Sequence, residues 1–282
     1  RKRSFWRIQG FRKRNYIGNP TKTETTMLNA ITKKISYQKR LKIKYKLRYF
    51  KALLYPFNLS KIALAHKTDK FGYHFYTPHY QTHFRKYKFK RNNILEIGVG
   101  GYENPYIGGN SLRMWKSYFP FSKIFALDIY DKSFLEEKRI KIFKGSQVDF
   151  TFLDSVIKNI GNIDLIIDDG SHINNHVIES FRYLFPKLKK GGIYVVEDTQ
   201  TSYWEDYGGN SNNLNDNSTI YGFFKALIDG LNHEEFILDS YQKTYYDKHI
   251  VSMHFYHNMI FIYKGDNDEA SNFIVKNKKP DA

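Results

Sequence analysis

From residue 92 onward the chain alternates short apolar runs with amphipathic stretches. NNILEIGVG (92–100), KIFALDIY (123–130), residues 139–144, NIDLIIDD (162–169) and GIYVVED (192–198) are rich in Ile, Leu and Val and bounded by Gly, Asn or Asp. Such runs predict strands, the first of them short and buried. Between them, residues 111–118, 150–160 and 174–189 read as helices. Strands alternating with helices predict a parallel sheet with right-handed crossovers. After a further helix over about 218–231, strands are expected near 235–243 and 252–264. The short link between these two predicts an antiparallel hairpin.

Two segments fall outside this rhythm. Residues 201–218 (TSYWEDYGGNSNNLNDNS) are polar, rich in Gly and Asn, and follow the fifth strand directly. Ligands of open parallel sheets bind beyond the carboxyl ends of the strands, so this loop is expected over the site as a lid or substrate platform. Residues 26–54 contain no Gly or Pro and mix Leu, Ile and Tyr with Lys and Arg. A basic helix is predicted there, although part of the stretch alternates like a strand. Residues 1–20, interrupted by Gly10, Gly18 and Pro20, are expected to hold little regular structure.

Composition narrows the reading. With 282 residues and 41% hydrophobic side chains, the chain can bury a good-sized core. It has no cysteine, which excludes disulfides, thiolate metal sites and thiol catalysis. No apolar run reaches the roughly 20 residues a spanning helix needs, and no signal peptide is read at the N-terminus. A cytoplasmic protein is expected, with a peripheral place at the inner membrane face as an extension of that reading. The chain begins at Arg1 rather than Met and reads as a piece of something longer. Of the 45 Lys and Arg, 17 lie in residues 1–60, whereas Glu24 is the single acid there among 28 Asp and Glu. The remaining body is nearly neutral, which argues for two functional parts.

Three readings stand for the basic leader. It binds an anionic membrane surface at about 1 kcal/mol per Lys or Arg; it binds nucleic acid, the least favoured partner; or it is a linker or docking helix of a larger glycan-modifying enzyme or homo-oligomer.

The candidate chemistry lies at the strand ends. Glu96, Gly98, Gly100 and Gly101 close the first strand, where glycines let a ligand approach the backbone. Asp128 ends the second strand and can accept both hydroxyls of a ribose. That pair serves nicotinamide and S-adenosylmethionine sites alike. The inserted loop YENPYIGGN (102–110) delays the next helix to near Ser111, and a dinucleotide site wants that helix at once to hold its pyrophosphate. Gln147 and Asp149 follow the third strand, either to read an adenine amino group or, for Asp149, simply to cap a helix. Asp169 ends the fourth strand, and Glu197 and Asp198 end the fifth. These strands are expected as neighbours, so three carboxylates converge and call for a hard cation such as Mg²⁺. His172, three residues past Asp169, is placed to take a proton from a hydroxyl. Against this stands the plain alternative that acids at strand ends are helix caps.

The segments LEIGVGG (95–101), GGNSLRMW (108–115), ALDIYDKS (126–133), GSQVD (145–149), DDGSH (168–172) and EDT (197–199) resemble the sugar O-methyltransferases of the mycinamicin and macrocin type. Upstream, TDK (68–70) and HFYTPHY (74–80) are also similar, so the resemblance covers roughly residues 64–205. It reaches the rhamnosyl O-methyltransferase and cephalosporin hydroxylase-like group as well. It implies an α/β, Rossmann-like class I methyltransferase with a mostly parallel seven-stranded sheet and a C-terminal antiparallel hairpin. It further implies S-adenosylmethionine and Mg²⁺ as cofactors and a sugar hydroxyl as acceptor, on a glycan, a glycoside or a natural product. By position, Asp169, Glu197 and Asp198 match the metal ligands and His172 the proposed base, while Thr77 and Tyr80 match a segment closing over the cofactor. The full cofactor set expected is Thr77, Tyr80, Glu96, Gly98, Gly100, Ser111, Asp128, Gln147 and Asp168. The implied layout is a basic extension over 1–60, a methyltransferase domain over 61–265 and a polar tail over 266–282. Two other functions stay open: a nucleic-acid methyltransferase steered by the leader, and a non-catalytic glycan-binding module on the same fold.

Overall fold

The structure, a computed structural model, describes residues 37–238, 240–275 and 278. Contacts divide the chain between Leu47 and Arg48 into two units. The expectation of little regular structure over residues 1–20 and the start of the predicted basic helix up to residue 36 lie outside the described residues. Helix α1 (Tyr37–Leu53) bears out the helical reading of the basic stretch where it is described. Among the described residues no helix is long and apolar enough to cross a membrane.

In the larger unit, β1 (Asn93–Ile97), β2 (Lys123–Asp128), β3 (Ile140–Lys144), β4 (Ile163–Asp168), β5 (Leu188–Glu197), β6 (Ile250–Tyr256) and β7 (Met259–Lys264) form one sheet in the order β3-β2-β1-β4-β5-β7-β6. The first five strands run parallel, and β7 pairs antiparallel with both β5 and β6. The connecting helices α4 (Asn110–Tyr118), α5 (Phe150–Ile160) and α6 (Asn174–Leu184) fall where the periodicity places them. Helices α2 (Leu59–His66) and α3 (Thr77–Phe84) precede the sheet, while α7 (Ile220–Ala226) and α8 (Tyr245–His249) precede β6.

The hairpin differs from its predicted bounds. Residues 235–238 and 240–243 form no strand, and the predicted strand over 252–264 is in fact most of the hairpin. Its turn is His257-Asn258, with Asn258 at φ +61°. Asn tolerates this left-handed conformation better than most residues, so the chain reverses inside what reads as one apolar run.

Strand alternation decides which side chains meet. In β1, Ile94 packs in one core layer, with Trp115, Tyr80 and Phe84, and Leu95 and Ile97 in the other, with Leu153, Phe181 and Leu184. Glu96 shares the face of Ile94 and is therefore buried beside Trp115. By the same alternation Glu197 lies on the face of Ile193 and Val195, and Asp168 on that of Ile166.

His66, at the end of α2, is fully buried; its Nε2 shares a hydrogen bond with Ser117 Oγ at 2.8 Å. Burial, reinforced by Arg48, Arg113 and Lys116, pushes its pKa from 6.5 down to about 3. The fold thus holds a neutral imidazole, whereas the unfolded chain takes up a proton below pH 6.5. Stability from this group is complete above pH 6.5 and is lost as pH falls towards 3, by up to about 1.4 kcal/mol per pH unit. In urea denaturation from pH 7 to 4, the stability gap between wild type and His66→Gln is expected to narrow as pH falls. A constant gap contradicts a neutral buried His66.

Candidate active site

Because β1, β4 and β5 are neighbours, their carboxyl ends bring residues 97–98, 168–169 and 197–198 to one edge. The approach there is close. Asp169 N donates to Ile97 O at 3.0 Å, and a Cβ on Gly98 would lie 2.0 Å from the Asp169 carbonyl oxygen. Gly98 also sits at φ +93°, so position 98 admits no side chain on either count.

Asp169, His172 and Asp198 each offer a ligand atom within 4.8 Å of the others, the one such group among the described residues. His172 Nε2 is 3.9 Å from Asp169 Oδ1 and 3.7 Å from Asp198 Oδ2. All three side chains are partly exposed. His172 and Asp198 hold left-handed backbones, φ +57° and +52°. Strained conformations of this kind gather at functional sites. Two carboxylates and an imidazole on an open face suit a small hard divalent cation that keeps some of its waters. Asp198 Oδ1 accepts from Tyr76 OH at 2.6 Å, and His74 Nε2 stands 3.8 Å from it.

Glu197 turns inward from this group. Its Oε1 accepts from Lys70 Nζ at 2.6 Å and from the hydroxyl of Tyr80. Lys70, only 1% exposed, also reaches Asp169 Oδ2 at 2.8 Å and Glu96 Oε1 at 3.4 Å. Burial opposes its charge, but Asp169, Glu197, Glu96 and Asp69 together hold the ammonium well above the usual lysine range. The lysine thus stands as a fixed positive charge among three carboxylates.

The residues expected at the cofactor divide into two sets. Gly98, Gly100, Ser111 and Asp128 ring the carboxyl end of β1. Asp128 ties the glycine turn down: Oδ2 accepts from Val99 N and Oδ1 from Tyr130 N, both at 2.9 Å. Thr77, Tyr80, Glu96, Gln147 and Asp168 are buried behind that ring. Thr77 Oγ1 shares a hydrogen bond with Ser60 Oγ at 2.8 Å. Tyr80 packs edge-on to Trp115. Glu96 Oε2 accepts from Trp115 Nε1 at 3.0 Å, and Ser111 also hydrogen-bonds to Glu96. Burial raises the Glu96 carboxyl to about 7 against the pull of Lys70, and burial likewise raises Asp168 to about 7. Gln147 Oε1 accepts from Ser171 N at 2.9 Å, and its Nε2 donates to Ser180 Oγ at 2.9 Å and to Asp168 Oδ1 at 3.4 Å. Asp149 caps α5 by accepting from Phe152 N.

Sequence reasoning gave no role to Lys70, His74, Tyr76 or Asn174. The resemblance reaches Lys70 in TDK (68–70) without giving it a role, because its three carboxylate partners stand on three different strand ends. A separate cavity of about 440 Å³, lined by Leu227, Asp229, Phe236, Tyr241 and Asp247 among others, contains none of these residues.

The strand order, the glycine turn after β1, the acid ending β2 and the acidic cluster beyond β4 and β5 together define a Rossmann-like class I methyltransferase domain. No protein-family model matches the chain. Over 215 residues it is 48% identical to mycinamicin VI 2''-O-methyltransferase of Micromonospora griseorubida and 46% identical to demethylmacrocin O-methyltransferase of Streptomyces fradiae. Each match covers 76% of this chain and 54% of the relative. The solved structure of the MycE methyltransferase from the mycinamycin pathway, in complex with Mg and SAH, superposes with a TM-score of 0.73 at 47% identity, over 76% of this chain and 55% of that one. The matched portion of the chain belongs to this family of sugar O-methyltransferases. The chain spans about half the length of the curated relatives it matches.

Proposed function

We propose that this protein transfers the methyl group of S-adenosylmethionine to a sugar hydroxyl of a glycoside in a Mg²⁺-dependent reaction. The observation that carries this reading is the Asp169, His172 and Asp198 group at the carboxyl edge, in a chain 48% identical to a sugar O-methyltransferase. Asp169 and Asp198 would hold the cation, with Glu197 as the third expected ligand once it turns from Lys70. When bound, the cation would lower the pKa of the acceptor hydroxyl. His172 accepts the hydroxyl proton at its imidazole. The acceptor oxygen attacks the methyl carbon, a C–O bond forms, and the C–S bond breaks with its electron pair passing to sulfur. The sulfonium becomes a neutral thioether, S-adenosylhomocysteine. Gly98, Gly100 and Asp128 would receive the cofactor where the backbone is bare and the carboxylate faces a ribose. Lys70 and Tyr80 hold Glu197 inward, and Tyr76 holds Asp198 in place for the acceptor.

A nucleic-acid methyltransferase has less support, because an acidic cluster beside the methyl site repels a polyanion. The test is calorimetric titration of S-adenosylhomocysteine and then 4-nitrophenyl α-L-rhamnoside, each with and without Mg²⁺. Cofactor binding with Mg²⁺-dependent glycoside binding is expected. Cofactor binding with no metal effect removes the metal role, and absence of cofactor binding removes the methyltransferase reading.

A further inference from the structure

The loop after β5 is not a loose lid. Thr199–Tyr203 and Glu205–Tyr207 form two short 3-10 turns. Their backbone closes on itself through Trp204 N to Thr201 O, Gly209 N to Trp204 O and Asn210 N to Ser202 O, at 2.8 to 3.1 Å. A single side chain from outside the loop ties these turns together. Asn174, the first residue of α6 and 1% exposed, donates from Nδ2 to Thr201 O and to Tyr207 O, both at 2.9 Å. Its Oδ1 accepts from Ile220 N at 2.7 Å. Tyr207 O and Ile220 N rest on this one amide, while Thr201 O also accepts from Trp204 N.

The start of the pinned loop bears on the site. Thr201 donates from N and from Oγ1 to the carbonyl of Asp198, at 3.3 and 3.2 Å, and so braces the left-handed backbone of that residue. At the other end, Tyr207 is half-buried, with its carbonyl held by Asn174. Beside Tyr207, Trp204 is half exposed, its ring 5.8 Å from that of Tyr207. Aromatic faces of this kind suit the apolar face of a glycoside. Asn174 is two residues from His172, so one short segment carries both the proposed base and the anchor of the loop.

We propose that Asn174 is a positioning residue for the acceptor: its side-chain amide fixes the loop that leads from Asp198, beside His172, to Trp204 and Tyr207. This inference rests on the methyltransferase reading above. Asn174→Asp keeps the acceptor oxygen facing Ile220 N and replaces the donor with an oxygen that repels the two loop carbonyls. Asn174→Ala removes all three bonds. In the whole chain, Asn174→Asp is expected to speed hydrogen exchange of the amides of residues 207–210 at least tenfold. Exchange in β1, β4 and β5 and the affinity for S-adenosylhomocysteine are expected to stay within threefold. For the first member of a 4-nitrophenyl glycoside series that the wild type methylates, kcat/KM is expected to fall at least tenfold, mostly through KM. Unchanged exchange at 207–210 in both variants overturns the proposal, as does a loosened loop with unchanged KM. Equal losses of cofactor affinity and sheet protection overturn it too, because they signal general destabilisation. Wild-type protein that binds no S-adenosylhomocysteine refutes the methyltransferase reading, and this inference with it, before any variant is made.

Discussion

Lys70→Met is expected to lower folding stability by about 3–5 kcal/mol, the usual cost of removing one partner from a buried ion pair. The ammonium is 2.6 Å from Glu197, 2.8 Å from Asp169 and 3.4 Å from Glu96. Glu96 and Glu197 are fully buried or nearly so. Methionine fills a similar volume, so packing changes little and the loss is electrostatic: two buried carboxylates are left without a cation. For a domain of this size the loss corresponds to a fall in Tm of about 10 °C. The double variant Lys70→Met, Glu197→Gln removes one of the uncompensated charges and is expected to recover part of the loss. A double-mutant cycle in urea reads this directly. A change below about 1 kcal/mol in Lys70→Met, or a double variant with purely additive losses, refutes the picture of a lysine holding the acidic cluster together.

His172→Ala is expected to lower turnover by about 10²–10⁴-fold, the usual range for loss of a general base, while binding of S-adenosylhomocysteine survives. The same variant separates two roles that the geometry allows the imidazole. His172 Nε2 lies 3.7 and 3.9 Å from oxygens of Asp198 and Asp169, too far for a direct hydrogen bond yet close enough to share a ligand or an acceptor hydroxyl with them. If His172 is the base, Mg²⁺ affinity in the variant stays within about threefold of wild type, because the carboxylates carry the ionic attraction. If it is a metal ligand, that affinity falls together with turnover. Turnover equal to wild type sinks both roles.

The parallel half of the fold was legible because β1, β2, β4 and the end of β5 are buried on both faces and read as short apolar runs, while edge strand β3 alternates Ile with exposed Lys. The hairpin was not bounded correctly. An Asn turn between two short apolar strands leaves little mark on hydropathy, and the apolar residues Phe236, Ile237 and Leu238 read as a strand although they form none. At the site, Asp169, His172 and Asp198 were legible because strand ends are marked by where an apolar run stops.

The sequence by itself determined the class of fold, the edge at which chemistry gathers and the residue types that gather there, since these follow from local periodicity and the parallel order it entails. Only the tertiary structure decided which carboxylates face the open cluster and which face a buried cation. Lys70 meets Asp169 and Glu197 across 99 and 127 residues of chain, and Asn174 reaches 27 and 33 residues ahead to hold the loop. A local pattern carries no information about such partners. They are set by strand order and side-chain alternation across the sheet, where burying a charge or an amide is tolerable only if a distant group arrives to satisfy it.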